Sequence, residues 1–461
     1  MTSKKKKSKK PLIILTAGGT GGHVYPAEAL AEELSRRGCR LMLVTDQRGL
    51  NNYHGTLGKI PNRSVLSGAV MGKSKWFKIK SLFKTAIGVL QCMYLLLKER
   101  PACVVGFGGY ASFPCSMAAI LLGTDLIVHE QNSVMSRTNR FLGRYATAVA
   151  ASFKKTKYAP AGRKTVQTGM PIRKAIAELY GRPYPKTGKT LPFNMLVLGG
   201  SQGAKVFAEV IPQAIKMLAS KQQKRIRMTQ QCRREDLDAV RAAYDGAKCT
   251  LELSHFFDNM PELYAQTHLI ISRAGASSVS EIAAAGIPSI LVPLPTAADD
   301  HQTSNAAEFK TNKGGIVIAQ KDFSPTALAA VLNDLLEDPA VLKTMAENTA
   351  KFAITDAAVR LAAAGEQDGH AAAGAVRGFI VLIAQPEVFL TAFGEGGCHA
   401  ALFRCNGQGV LPIGQGKGGI FGIVLFVSTG SQLGHCYSPL SSVTKTARPH
   451  RDSWSSAQRL D

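Results

Sequence analysis

The sequence predicts an α/β protein of two Rossmann-like halves, each a parallel sheet flanked by helices, facing each other across a central cleft. Three observations predict it. Short apolar runs of strand length alternate with longer stretches that repeat apolar residues at helical spacing. The order strand, glycines, hydroxyl, helix occurs at residues 11–34 and again at 191–218. Residues 274–302 then add a small-residue turn, a helix carrying Glu281, a buried strand Ser289–Pro293 and a polar loop with Asp299, Asp300, His301 and Gln302.

In the first half, Pro11–Leu15 is a short buried strand that runs into Gly18, Gly19, Thr20, Gly21, Gly22 and His23. These glycines let backbone approach a ligand at the strand's carboxyl end. A helix follows over 26–34 and stops near Gly38, and Leu41–Thr45 is the next strand. At the helix start the dipole keeps His23 neutral and able to accept a proton; the alternative is that it caps the turn. A dinucleotide fingerprint would need Gly or Ala at position 24, where Val24 stands, although Asp46 occupies the place of an NAD ribose acid.

Around residue 75, Trp76, Phe77, Ile79 and Phe83 interleave with Lys75, Lys78, Lys80 and Lys84. On a helix Trp76, Ile79 and Phe83 share one stripe. This favours an anionic bilayer surface over single-stranded nucleic acid or a core-facing helix. A second apolar helix is expected over Ala86–Leu97. Val104–Pro114 is a strand end and a second glycine loop with Gly108, Gly109 and Tyr110. Asp125–His129 is a strand ending in His129, Glu130, Gln131 and Asn132, beside the first loop. Tyr145–Ser152 is another strand, and Gly169–Arg173 links the halves.

In the second half Leu191–Gly199 leads into a loop with Ser201 and a helix over Lys205–Leu218. Strands follow at Arg227–Gln231, Cys249–Leu253, Leu269–Ser272, Ser289–Pro293 and Gly315–Ile318, with helices at Met260–Gln266, Phe323–Glu337 and Pro339–Phe352. The turn before Glu281 is a helix N-terminus whose free N–H groups suit a phosphate. A carboxylate one turn further suits a ribose hydroxyl pair. The alternative is an ordinary crossover with a solvated glutamate. Beyond about Gly369 no period is visible, and residues 370–461 read as disordered or non-native sequence, with a third folded unit as the alternative.

A length of 461 residues, 45% hydrophobic and 19% charged, describes a globular chain of two or three domains. The net charge of +24 permits anionic partners, although Lys4–Lys7, Lys9 and Lys10 concentrate part of it in a basic tail over residues 1–10. The nine cysteines form no Cys-x-x-Cys and suit buried thiols in a reducing compartment. The apolar stretch after the lysines is too short for a signal peptide. No uncharged apolar segment of 18 residues appears, so no simple membrane-spanning helix is expected.

Taken in order, GGTGGH (Gly18–His23), GGYASFP (Gly108–Pro114), HEQN (His129–Asn132), GMPIR (Gly169–Arg173), GGSQGA (Gly199–Ala204), GASSVSEIAAAGIPSILVP and HQTSNA resemble the MurG family of peptidoglycan synthesis over roughly residues 11–365. The resemblance implies a GT-B fold: an acceptor and membrane half over 11–170, a donor half over 171–352, and a helix over 353–369 crossing back to the first half. It implies an inverting N-acetylglucosaminyltransferase that moves GlcNAc from UDP-GlcNAc to the 4-hydroxyl of undecaprenyl-diphosphate-MurNAc-pentapeptide. Its place would be the cytoplasmic face of the bacterial inner membrane, with no nucleic-acid partner. The donor contacts it implies are Thr20, Gly21, Gly22, Asn132, Arg173, Ser201, Phe257, Ala276, Ser277, Ser278, Val279, Ser280, Glu281 and Gln302. Gly18, Gly19, Gly108, Gly109 and Tyr110 would meet the acceptor diphosphate. The chain departs from the family pattern at Met135-Ser136, where Pro-Gly is usual, and at Met170, where Asn is usual.

The displacement needs a base and positive potential at the leaving diphosphate. His23 is the expected base, with Glu130 or a water relay as substitute. The helix N-terminus at Ala276–Ser278, Ser201 and Arg173 would hold the diphosphate. Asp299-Asp300 read as loop polarity, so no cofactor and no obligatory metal are expected. The rivals are a glycosyltransferase acting on diacylglycerol, a non-catalytic nucleotide-sugar or membrane-binding subunit, and an NAD oxidoreductase.

Overall fold

The structure, a computed structural model, describes residues 10–18, 21–47, 55–68, 75–161, 165–200 and 203–367, with three short strand segments beyond them. The first half holds a parallel sheet of β1 (Leu12–Thr16), β2 (Arg40–Thr45), β3 (Asn62–Ser64), β4 (Cys103–Gly106), β5 (Leu126–Glu130), β6 (Ala148–Ala151) and β7 (Thr165–Gln167), in the order β3-β2-β1-β4-β5-β6-β7. The second holds β8 (Phe193–Leu198), β9 (Ile226–Gln231), β10 (Thr250–Ser254), β11 (Leu269–Ser272), β12 (Ser289–Leu291) and β13 (Gly315–Val317), in the order β10-β9-β8-β11-β12-β13. Helices cover both faces of each sheet, so the central strands are continuous apolar runs: every residue of β1, β4 and β11 is buried.

Strand order reverses between β1 and β4, where Thr16 pairs with Gly106, and between β8 and β11, where Leu198 pairs with Ser272. Crevices open at the carboxyl ends of strands at such switch points. The turns that begin at Gly18, Gly108, Gly199 and Gly275 leave from these four strands.

Seven helices position the site and its surroundings: α1 (Gly21–Arg36), α2 (Lys75–Glu99), α3 (Phe113–Leu122), α4 (Arg137–Gly143), α5 (Ala276–Ala285), α6 (His301–Thr311) and α7 (Ala357–Gln367). The last buries Leu361, Ala362 and Ala364 in the core that α1 shares with the first sheet. The two helices expected between Trp76 and Leu97 are one, because nothing between Lys84 and Ala86 breaks the pattern. Gly88 lets α2 lie against the Leu66 carbonyl, where a Cβ would collide. The Ile79–Glu99 part of α2 has a mean hydropathy of 1.3 and is long and apolar enough to cross a membrane. Lys80, Lys84 and Lys98 interrupt it, so it contains no uncharged stretch of 18 residues. Its inner face, including Thr85, Cys92, Leu95 and Leu96, is buried in the first half.

Beyond residue 367, Val388–Leu390 pairs antiparallel with Leu425–Thr429, which pairs with Gln432–Leu433. Otherwise the expectation for residues 370–461 lies outside the described residues, as does the tail over residues 1–9.

Candidate active site

His23 sits in the first turn of α1, between the two glycine loops of the first half. A Cβ added to Gly18 would come within 3.7 Å of its ring, and one added to Gly109 within 3.6 Å. Gly108 and Gly109 have φ of 81° and 78°, which a side chain would resist. Burial lowers the imidazole's pKa, and the Phe107 backbone and the Gln131 side chain offset this in part. Burial thus favours the neutral form in the same sense as the helix dipole. Its Nδ1 is buried without a hydrogen-bond partner among the described residues.

Behind it lies a second histidine. His129 is fully buried, with Nε2 3.3 Å from the Gly169 carbonyl and Nδ1 3.2 Å from Gln131 Nε2. Gln131 also donates to the Phe107 carbonyl at 2.8 Å. Burial, opposed by the Gly169 bond and reinforced by nearby His23, takes the His129 pKa down to about 4. Gln131 therefore ties His129 to the glycine loop, a role the sequence did not reveal.

Glu130 is corrected from substitute base to loop clamp. It is fully buried, and it accepts four hydrogen bonds: from the Asn132 and Ser136 N–H groups at 2.9 Å each, from Asn139 Nδ2 at 2.8 Å and from Asn132 Nδ2 at 3.4 Å. Burial raises its pKa, and those donors offset part of the rise. A carboxylate so occupied shapes the loop and has no room to take a substrate proton. The departure at Met135-Ser136 fits this loop: Met135 is buried, and Ser136 Oγ caps α4 by accepting from the Asn139 N–H at 3.3 Å. Met170, the other departure, is buried beside Ser152.

In the second half the first helical hydrogen bond of α5 runs from the Val279 N–H to the Gly275 carbonyl, so the Ala276, Ser277 and Ser278 N–H groups lie ahead of the ladder. Gly275 offers no side-chain cap, and Ser277 Oγ is buried without a partner among the described residues. The turn is a polar anion cradle. Two members of the expected donor run face elsewhere: Val279 is 1% exposed in the core, and it lines a small cavity with Ser280, Gly169, Met170 and Ile354.

Arg173 and Glu281, expected to grip diphosphate and ribose separately, grip each other. Arg173 Nε donates to Glu281 Oε1 at 3.2 Å and Nη2 to Oε2 at 3.1 Å, while the Tyr264 hydroxyl donates to Oε2 at 3.2 Å. Burial works against the Arg173 charge, but Glu281 outweighs it and the pKa is raised. The guanidinium also lies 5.3 Å from the ring centre of Tyr25 on α1. Phe257 is buried in the same core cluster as Tyr264. Gln302 Oε1 accepts from the Ala274 N–H at 3.2 Å and the Leu294 N–H at 2.9 Å.

Asp299 is more than loop polarity: it accepts from Arg140 at 2.7 Å, joining the halves. Asp46, the NAD rival's ribose acid, accepts from Ser67 at 3.2 Å. Gly19, Thr20 and Ser201 lie outside the described residues, as do the side chains of Lys75, Phe77 and Lys78. Gly21 and Gly22 open α1, and Tyr110 is half-buried in the second loop. The outer face of α2 is bare: Trp76 is 80% exposed, Phe83 68% and Tyr94 70%, with Ile79, Leu90 and Leu97 also exposed and Lys80 beside them.

Residues 13–151 match the glycosyltransferase family 28 N-terminal domain, and residues 194–361 match the glycosyltransferase family 28 C-terminal domain. The chain is 47% identical over 350 residues to the UDP-N-acetylglucosamine–N-acetylmuramyl-(pentapeptide) pyrophosphoryl-undecaprenol N-acetylglucosamine transferase of Rhodospirillum rubrum, spanning 76% of this chain and 90% of that one. The chain belongs to the MurG family of glycosyltransferases. The Paramagnetospirillum magneticum member is 45% identical, covering 77% of this chain and 96% of its own. The crystal structure of Acinetobacter baumannii MurG superposes with a TM-score of 0.64 at 29% identity, covering 78% of this chain and 99% of that one. The two parallel sheets are the GT-B fold of the MurG family.

Proposed function

We infer that this chain is an inverting N-acetylglucosaminyltransferase that moves GlcNAc from UDP-GlcNAc to the 4-hydroxyl of undecaprenyl-diphosphate-MurNAc-pentapeptide. The observation that carries the reading is the pair of switch points. One half presents a neutral, half-buried imidazole between glycine loops; the other presents an uncapped helix N-terminus beside a paired arginine and carboxylate. The MurG relatives match this chain at 45–47% identity over about three-quarters of its length.

In this reading the acceptor oxygen attacks the anomeric carbon from the face opposite UDP. The new C–O bond forms as the bond to the diphosphate oxygen breaks, and that electron pair leaves with UDP. His23 takes the hydroxyl proton. The N–H groups of Ala276–Ser278 and Arg173 stabilise the charge gathering on the diphosphate. Glu281 accepts three hydrogen bonds and keeps one lone-pair site on Oε1 for a ribose hydroxyl, so Arg173 and the ribose share one carboxylate. The helix terminus and the arginine supply the positive potential, and no metal is invoked; activity that survives a chelator at full rate would support this.

The bare α2 face with its lysines is proposed to rest on an anionic bilayer at the cytoplasmic face of the inner membrane, where a lipid-linked acceptor resides. The test is UDP release from UDP-GlcNAc, with and without a lipid-diphosphate muramoyl acceptor. Release that depends on the acceptor and yields the glycosylated lipid is expected. Release unaffected by it would reject this acceptor.

A further inference from the structure

We propose that Asn305 is a positioning residue for this transfer: it locks the donor turn before α5 to the loop after β5, fixing the spacing between the two switch points. The proposal rests on the glycosyltransferase reading above. Asn305 is fully buried on the second turn of α6. Its Oδ1 accepts from the Ser133 N–H and Oγ at 2.9 Å each, and its Nδ2 donates to the Ala274 carbonyl and to Asn132 Oδ1 at 3.1 Å each. A carboxamide can accept twice and donate twice, and this one does both. The partners also fix which way the amide points, since the Ser133 N–H needs an acceptor and the Ala274 carbonyl a donor.

The groups it joins are not general scaffold. Asn132 and Ser133 follow the strand that carries His129 and Glu130 in the first half. Ala274 opens the turn whose N–H groups form the anion cradle. Gln302, one helical turn earlier on α6, holds the same turn by its N–H at 3.2 Å. Two outer ties flank this centre, Arg140 to Asp299 at 2.7 Å and Lys157 to Ser304 at 3.4 Å, but both are solvent-exposed and screened. Of these three hydrogen-bonded ties, the one through Asn305 is the buried one. Because Gln302 still holds the turn without it, its loss should disturb the alignment of the two crevices more than the donor's grip. Misplacement by about 1 Å at a reacting centre costs on the order of 100-fold.

The test uses the full chain. Asn305→Asp is nearly isosteric but turns an oxygen toward the Ala274 carbonyl and Asn132 Oδ1; Ser133→Ala removes one partner from the opposite half. With UDP-GlcNAc and a lipid-diphosphate muramoyl acceptor, Asn305→Asp is expected to lower kcat by about 30- to 100-fold while UDP affinity stays within threefold. Ser133→Ala should lower kcat by about threefold to tenfold, and Asn305→Ala with Ser133→Ala should be no slower than Asn305→Ala alone. If Asn305→Asp keeps kcat within twofold of wild type, or loses kcat and UDP affinity together, the proposal is overturned. If the Asn305 variants do not fold, Ser133→Ala decides by the same split. Wild-type protein that transfers no GlcNAc would defeat the functional reading; active wild type matched by its variants would defeat only the lock.

Discussion

The two halves serve a ligand at a strand-order reversal by opposite means. The first encloses its chemistry: His129 and Glu130 are fully buried and His23 half-buried, desolvation displaces the pKa of each, and Gln131 and the loop N–H groups hold His129 and Glu130 in place. The second keeps its means near the surface, in backbone N–H groups at a helix end and an ion pair in which Arg173 remains about one-third exposed. The difference teaches that proton transfer and charge binding ask different things of a fold. A base that must stay neutral gains from burial, whereas a leaving diphosphate needs fixed dipoles and a cation that can still reach it.

Changes in the first half should therefore act on turnover and pH response, and changes in the second on donor binding. The largest effect is expected from His23→Ala, with kcat falling by about 10²–10⁴-fold in steady-state assays. A fall under tenfold would make His23 scaffold. Next is acid stability. His129 is neutral when folded down to about pH 4 but takes a proton near 6.5 when unfolded. Its stabilising contribution is thus present above pH 6.5 and lost as pH falls toward 4, on the order of 3 kcal/mol. Denaturant titrations of His129→Gln should show a flatter decline across that window; an unchanged slope would mean His129 is not the group responsible.

Glu281→Ala should raise the cost of donor use by about 1–3 kcal/mol in kcat/KM for UDP-GlcNAc, through lost charged hydrogen bonds and a released Arg173. Unchanged donor kinetics would remove Glu281 from the site. The smallest effect belongs to the α2 face. Replacing Trp76 and Phe83 together by serine should weaken sedimentation with anionic vesicles by roughly tenfold and leave detergent-solubilised activity within twofold. Undiminished vesicle binding would assign the membrane contact elsewhere.

Much of this fold was legible in the sequence. Strands buried on both faces, such as β1 and β11, announce themselves as apolar runs ended by glycine or small residues. Two strands escaped because they carry no such run: β3 is exposed throughout, and β7 is Thr165–Gln167 at the sheet's edge. At the site, spacing placed His23 and Glu281 but not their partners. Arg173 lies 108 residues from Glu281, and Ser133 lies 172 from Asn305, so neither pairing leaves a local pattern. Glu130 was misjudged because a carboxylate at a strand end looks the same whether it faces substrate or a ring of loop donors.

Calorimetric titration of UDP into wild-type, His23→Ala and Glu281→Ala proteins tests the division of labour most directly. The account predicts that His23→Ala binds UDP within twofold of wild type, while Glu281→Ala binds about tenfold more weakly or worse. Weakened binding in His23→Ala together with wild-type binding in Glu281→Ala would contradict it.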